Sequence, residues 1–157
     1  MFGIDQDYEH DYDYDEKKDR MYAVCMRFNL AKTFRYLWAF PGTILGLLLL
    51  CGALLTKGRV RVRDGVLQAH GGVVTWLLRY CTPLPGGVDA LTLGHVILGR
   101  TDATLAETHN HEMVHVRQYE RWGPFFLPAY LLSSLFLFLS GRDFYHDNPF
   151  ERQAFRS

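Results

Sequence analysis

The strongest constraint on the fold of this chain is a pair of histidines, His111 and His115, that enclose Glu112, Met113 and Val114. Side chains four residues apart share one face of an α-helix, so the two imidazoles can act together only if this segment is helical. Histidines at this spacing can hold one metal ion, and a glutamate beside the ion can accept a proton from water. The segment therefore predicts a helix in which His111 and His115 are metal ligands and Glu112 is a general base.

The flanking residues predict where this helix begins and ends. Thr104 and Glu107 have the spacing of a capping box, and Gly123 followed by Pro124 is typical of a helix end. We therefore expect one helix of about 18 residues with the motif in its interior. Gln118, one turn beyond the second histidine, is placed to orient a metal ligand, although a surface glutamine fits the sequence equally well.

A hydrolytic zinc site needs a third protein ligand, and the sequence offers Glu151. Asn148 and Pro149 predict the start of a further helix, with the asparagine as N-cap and the proline in the first turn. A carboxylate in that turn would complete a site of two histidines and one glutamate. A glutamate three residues after an N-cap can instead complete a capping arrangement and favour the helix dipole, so both roles stay open.

Residues 111–118 and 147–154 together resemble the gluzincins, the thermolysin-like zinc peptidases in which H-E-x-x-H precedes a helix that supplies a ligand Glu. Glu151 and the small Ala154 three positions later match that helix. Residues 91–157 are also similar to small bacterial membrane-associated proteins classed as metallopeptidases. The resemblance implies a Zn²⁺ site of His111, His115 and Glu151 with Glu112 catalytic. The expected substrate is a peptide or protein, and the expected location is the bacterial inner membrane.

Two more parts of the expected site are a substrate-binding strand, which follows from this resemblance, and an oxyanion donor, which peptide hydrolysis requires. In gluzincins the strand before the active-site helix pairs with extended substrate, and residues 91–99, apolar and bounded by glycines, predict a strand there. An ordinary buried strand is equally consistent with the same residues. Tyr145 or His146, just before the terminal helix, could donate a hydrogen bond to the oxyanion, and either could be a surface residue only.

Residues 37–55 are apolar except for Thr43 and are long enough to cross a lipid bilayer. Neither the length of this run nor its flanks fit a cleaved signal peptide. We therefore expect residues 26–56 to form an uncleaved transmembrane anchor, with Pro41 and Gly42 as the place for a kink.

A second apolar run, residues 125–139, is shorter than a straight membrane-spanning helix usually needs. If it crossed the bilayer, His111 and Glu151 would lie on opposite sides and could not share a metal ion. We therefore expect a buried, interfacial or re-entrant helix, with both motifs on the same side of the membrane.

The chain has 17 basic and 17 acidic residues, and the acidic ones are concentrated in its first part. We therefore expect residues 1–25 to be a disordered tail.

Residues 59–63 alternate Arg with Val before Asp64-Gly65, which predicts a β-hairpin with residues 66–70. No nucleic-acid motif accompanies these arginines, so no nucleic-acid partner is expected. The three cysteines are widely spaced and indicate neither a disulfide framework nor a thiolate zinc site.

The expected fold is a small α+β, zincin-like domain over residues 57–157, tethered by an N-terminal transmembrane helix. Its elements would be a β-hairpin, a strand, the H-E-x-x-H helix, an apolar helix and a C-terminal helix. The expected function is that of a membrane-associated zinc metallopeptidase. The alternative is a non-catalytic membrane-anchored protein that keeps zinc, or only the scaffold, for stability or partner binding; a metal site without an open coordination position would favour it.

Overall fold

A computed structural model of the chain describes residues 30–156, so the expected acidic tail at residues 1–25 lies outside the described part. The contacts divide the chain into two units, residues 1–34 and residues 35–157. The second unit is an α+β fold with a mixed four-stranded sheet, which confirms the α+β part of the expected fold. The N-terminal transmembrane helix that was expected to tether it is not found as one straight span within residues 30–156.

The elements follow one another in a simple order. Two helical segments come first, α1 (Leu30–Trp38) and α2 (Phe40–Leu55). They are followed by strands β1 (Arg59–Arg63) and β2 (Val66–His70), helix α3 (Gly72–Tyr80), and strands β3 (Ala90–Leu93) and β4 (Val96–Gly99). The remaining helices are α4 (Asp102–Glu107), α5 (His109–Trp122), α6 (Phe126–Leu139) and α7 (Pro149–Ala154), with a 3-10 turn, Gly123–Phe125, between α5 and α6.

The sheet has the strand order β1-β2-β4-β3, so β3 is an edge strand. The predicted hairpin is confirmed: β1 and β2 are antiparallel, and Asp64 and Gly65 at its turn have φ values of 51° and 80°. Positive φ at both central residues is what a tight hairpin turn requires. Strand β2 then pairs with β4 in parallel, and β4 with β3 in antiparallel fashion.

The prediction of one strand over residues 91–99 is wrong, because the chain turns back on itself at Gly94. This residue has a φ of 61°, and the strands on either side of it, β3 and β4, form a second hairpin. All four residues of β4 are buried, so the polar alternation that would have marked a hairpin is missing from the sequence.

The predicted start of the motif helix is also wrong. Thr101, not Thr104, is the N-cap: its hydroxyl accepts from the Thr104 amide at 3.1 Å, and the Thr104 hydroxyl accepts from the Thr101 amide at 3.0 Å. Thr104 therefore completes the capping box itself, the role that Glu107 was expected to play. The helical path is then interrupted at Thr108, where α4 ends and α5 begins. The predicted C-terminal end at Gly123 is confirmed.

Residues 37–55 do not form one straight helix. The axes of α1 and α2 differ by 64°, and Pro41 lies in the first turn of α2, where the kink was expected. One face of α2 packs on the sheet: a Cβ atom added to Gly46 would lie 2.6 Å from Val96 Cβ and 2.9 Å from the Leu93 carbonyl oxygen. The apolar helix thus belongs, by these contacts, to the unit that contains the sheet.

Helix α6 continues the direction of the motif helix, and the stretch His109–Leu139 is long and apolar enough to be a candidate membrane span. Within α6 only Phe126 and Leu137 are buried, so of the three expected forms, buried, interfacial and re-entrant, the structure excludes the buried one. After α6 the chain turns back beside this helix. The side-chain amide of Asn148 donates to the Tyr130 carbonyl at 3.2 Å and to the Ser134 hydroxyl at 2.8 Å, and both acceptors lie on α6. Helix α7 is thereby brought back beside α5.

Replacing Gly46 with alanine tests whether α2 packs tightly on the sheet. The added methyl group would press on the backbone of β3, so the free energy of unfolding in detergent should fall by about 1–3 kcal/mol. Leu48→Ala, on the exposed face of the same helix, is the matched control and should have little effect. If α2 contacted lipid alone, Gly46→Ala would instead stabilise the helix by about 0.5–1 kcal/mol.

Candidate metal centre

Three side chains converge between α5 and α7. Nε2 of His111 lies 3.1 Å from Oε2 of Glu151, and Nε2 of His115 lies 3.4 Å from Oε1. The two imidazole Nε2 atoms are 3.2 Å apart. Ligand atoms about 2.1 Å from one tetrahedral zinc ion are separated by roughly 3.4 Å, so these separations fit a single ion.

The start of α5 is held by a neighbour of the motif. His109 is buried, with Nδ1 at 3.0 Å from Gln68 Nε2 and Nε2 at 2.8 Å from Asp64 Oδ2. Its two ring nitrogens are thus used by the first hairpin, and it is not part of the metal-ligand cluster. His109 therefore fixes the position of α5 on the sheet.

Helix α7 begins as predicted, with Asn148 as its N-cap and Pro149 in its first turn. The Asn148 side chain accepts from the Phe150 amide at 3.0 Å. Its own backbone amide donates to the Tyr145 carbonyl at 3.1 Å, so Glu151 does not close a capping box with it. Glu151 is only 3% exposed, and its carboxylate lies against the two imidazoles of α5.

The environment of the Glu151 carboxylate fits a cation. The Tyr130 hydroxyl donates to Oε1 at 2.7 Å, whereas Oε2 is buried and has no hydrogen bond among the described residues. A buried carboxylate oxygen without a donor costs free energy unless a positive charge lies beside it. A divalent ion between the imidazoles and this oxygen would supply that charge.

Gln118 joins the cluster to α7. Its Oε1 lies 2.8 Å from His115 Nδ1, and its amide group donates to the Phe150 carbonyl at 3.1 Å and to Gln153 Oε1 at 2.9 Å. Because an amide oxygen only accepts, Nδ1 of His115 carries the proton and the Nε2 lone pair is directed to the cluster. Gln118 is only 4% exposed, so it is not the surface glutamine that the sequence also allowed.

Glu112 lies beside the three ligands without joining them. It is buried, and the Thr92 hydroxyl of β3 donates to its Oε2 at 2.7 Å. Burial raises the pKa of the Glu112 carboxyl, and the nearby His115 and the bond from Thr92 lower it only in part. A raised pKa suits a group that takes up and releases a proton.

The pKa of the Glu151 carboxyl is shifted in the opposite direction. Burial would raise the pKa of its carboxyl, but the close contacts with the imidazoles of His111 and His115 outweigh this effect and bring the pKa to about 2. The site therefore contains one carboxylate held in its ionised form and a second, Glu112, that protonates more easily. Two carboxyl groups with separated pKa values are typical of a ligand and a general base in one site.

A small cavity of about 90 Å³ opens beside the cluster. It is bordered by the edge strand β3, the motif helix and the start of α6. Its walls include Ala90, Leu91, Thr92, Tyr119, Phe126 and Tyr130. A largely apolar cavity next to the three ligands leaves space for a molecule to approach an ion held there.

The two predicted oxyanion donors occupy different positions. Tyr145 lines the cavity with His111 and Glu112, and burial and the charge of Glu151 raise the pKa of its phenol, which stays protonated. The side chain of His146 is 68% exposed and bonded through Nδ1 to Asp143 Oδ2 at 2.9 Å. His146 therefore does not line the small cavity, but it borders a more open recess of about 380 Å³ that His111, Glu112 and Tyr145 also line.

The sequence did not indicate Thr92 or Tyr130, which hold the two carboxylates. Thr92 is one residue of a short apolar strand, and Tyr130 lies within the apolar run of α6. No local pattern marks either position, because each meets its carboxylate through the fold. A polar side chain inside an apolar segment was the one available signal.

No protein-family model, curated protein or solved structure matches this chain. The resemblance to gluzincins therefore stays a prediction. The identity of the metal and the chemistry of the site are likewise inferred from the residues and their geometry.

The Glu151→Gln substitution tests the third ligand. An amide oxygen is a weaker zinc ligand than a carboxylate, so zinc affinity should fall by about 10- to 100-fold or more, measured by competition with a chelator. Asp147→Asn is the matched control, because Asp147 pairs with Arg142 at 3.2 Å and is not in the cluster. A loss of about 1 kcal/mol of stability with unchanged zinc affinity would mean that Glu151 only favours the helix start.

Proposed function

We propose that this protein is a membrane-associated zinc metallopeptidase with a zincin-like site. His111, His115 and Glu151 would hold Zn²⁺, and Glu112 would be the general base. The observation that carries the proposal is the convergence of three ligand atoms at 3.1–3.4 Å beside a separate buried carboxylate. A structural role for the cluster alone would not require that second carboxylate.

The donor set favours zinc. Two imidazole nitrogens and one carboxylate oxygen suit Zn²⁺, whereas Mg²⁺ and Ca²⁺ prefer oxygen ligands only. Three protein ligands next to a cavity are the arrangement of catalytic sites, because structural zinc is enclosed by four protein ligands. When bound, zinc supplies a Lewis acid that makes water more acidic and a carbonyl carbon more electrophilic.

The residues around the cluster account for the proton transfers of peptide hydrolysis. Thr92 holds one oxygen of Glu112, which leaves the other to accept a proton from the attacking water and to pass it to the leaving amine. Tyr145, whose phenol stays protonated, would donate a hydrogen bond to the oxyanion of the tetrahedral intermediate. Tyr130 would hold the Glu151 carboxylate in position.

The position of the edge strand β3 supports the proposal that the substrate is a peptide. In the four-stranded sheet it pairs only with β4, and its residues Ala90, Leu91 and Thr92 line the cavity beside the cluster. An extended peptide could add to this edge through backbone hydrogen bonds and place its scissile bond next to Glu112. The substrate strand expected over residues 91–99 is thus proposed to be β3 alone.

Exposed apolar helices support membrane association. Six large apolar side chains of α6 are more than half exposed: Leu131, Leu132, Leu135, Phe136, Phe138 and Leu139. Helices α1 and α2 meet the length and hydropathy expected of a span only as a bent pair. We place α2 and α6 in contact with lipid, with α6 interfacial or re-entrant, and the resemblance suggests the bacterial inner membrane as the location.

The Glu112→Gln substitution separates catalysis from metal binding. The amide cannot accept a proton, so cleavage of a fluorogenic peptide library should fall by about 10²- to 10⁴-fold, while zinc content stays that of the unchanged protein. Zinc content and peptide cleavage are measured on the same preparations. Equal cleavage by both proteins would remove Glu112 from the mechanism, and joint loss of zinc and cleavage would make it a ligand.

A further inference from the structure

A second recess, of about 340 Å³, lies between α5 and the end of α7, away from the cavity beside the metal cluster. Three arginines line it: Arg117 and Arg121 from α5, and Arg156 from the residues after α7. We call it the arginine recess. Its lining contains no carboxylate, and none of the three guanidinium groups forms an ion pair within residues 30–156.

The polar lining of the arginine recess consists mainly of hydrogen-bond donors. Gln153 accepts from Gln118 through its amide oxygen, which leaves its own NH2 group as a donor at the recess. Arg117 and Arg121 are four residues apart on one helix face, where like charges repel and destabilise the helix. An anion between them would relieve this repulsion, and guanidinium groups bind phosphate oxygens in pairs.

The position of the recess near the end of α5 indicates which anion it binds. Arg121 precedes the first residue of the apolar α6, Phe126, by five residues, or about 8 Å of helical rise. Trp122 and Phe125 lie between them and are 44% and 62% exposed. In membrane proteins, basic residues lie at the lipid headgroups, aromatic residues at the interface and apolar residues in the bilayer core. The residues along this helix follow the same order.

We propose that the arginine recess binds the phosphate group of an anionic phospholipid through Arg117, Arg121 and Arg156. The bound headgroup fixes the depth at which α6 enters the lipid, and so holds the neighbouring metal cluster close to the membrane surface. The proposal rests on the membrane association proposed above and is independent of zinc binding and of catalysis.

The test uses the full chain in detergent, titrated with short-chain phosphatidylglycerol, with the dissociation constant read from tryptophan fluorescence. Arg117→Gln combined with Arg121→Gln should raise this constant by about 10- to 30-fold, because each arginine near a lipid surface contributes several-fold. The control combines Arg59→Gln with Arg152→Gln, which removes the same charge at exposed positions outside the recess and should leave the constant unchanged. Replacing Arg117 and Arg121 by lysine should give an intermediate constant, because lysine keeps the charge but not the paired hydrogen bonds.

Two further titrations distinguish the source of the phosphate. Inorganic phosphate should bind far more weakly than the lipid, because it has no acyl chains to contact α6. Zwitterionic phosphatidylcholine should also bind more weakly than phosphatidylglycerol.

The proposal is overturned if Arg117→Gln combined with Arg121→Gln leaves phosphatidylglycerol binding unchanged, which would point to another occupant of the recess. If the control variant loses as much affinity for phosphatidylglycerol, the binding depends only on the overall charge of the protein. If inorganic phosphate binds as tightly as the lipid, the recess is a site for soluble anions. If the unchanged protein binds no lipid at all, membrane association itself fails. Zinc content and peptide cleavage, measured on the same proteins, report separately on the metal centre.

Discussion

The arrangement of the C-terminal half depends on the buried contact of the Glu151 carboxylate with the imidazoles of His111 and His115. Helix α7 is short, and it is held against α5 by this contact and by the bonds that Gln118 donates to it. The contact also determines the course of α6, because the chain must leave α5 and return within residues 140–148 for Glu151 to reach the histidines. A carboxylate buried against two imidazoles is stable only if positive charge lies among them, as protons or as a metal ion. The fold thus creates a site that requires positive charge, which protonated imidazoles or a metal ion can supply.

The surrounding side chains give the two carboxylates different states. Glu151 accepts from Tyr130 and is kept ionised by the imidazoles, which suits a metal ligand. Glu112 is one helix position from His111 but directed to the edge strand, where Thr92 donates to it and burial raises its pKa. The difference comes from what each side chain meets on the neighbouring element: α6 for one, β3 for the other. The same edge strand and the same α6 enclose the cavity, so the elements that tune the carboxylates also determine what can approach them.

The parts of the fold with local signals could be predicted from the sequence. The first hairpin was predictable from Asp64-Gly65, the start of α7 from Asn148 and Pro149, and the proximity of Glu151 to the histidines from the needs of metal chemistry. Errors arose where a local signal was ambiguous or absent. The turn at Gly94 lies in an uninterrupted apolar run, and either Thr101 or Thr104 could cap a helix, so the strand and the helix start were misplaced. The pairing of Thr92 with Glu112 depends on tertiary contacts 20 residues apart, which no local pattern encodes.

The most direct test of the central claim is metal analysis of the full chain purified without chelators, beside His115→Ala and the matched His146→Ala. His115 lies in the ligand cluster, whereas His146 is bonded to Asp143 at the rim. The account predicts stoichiometric zinc in the unchanged protein and in His146→Ala, and its loss in His115→Ala alone. A wild-type protein that holds no zinc and takes up none when zinc is supplied would contradict the account, as would a His115→Ala variant that binds zinc as tightly as the wild type.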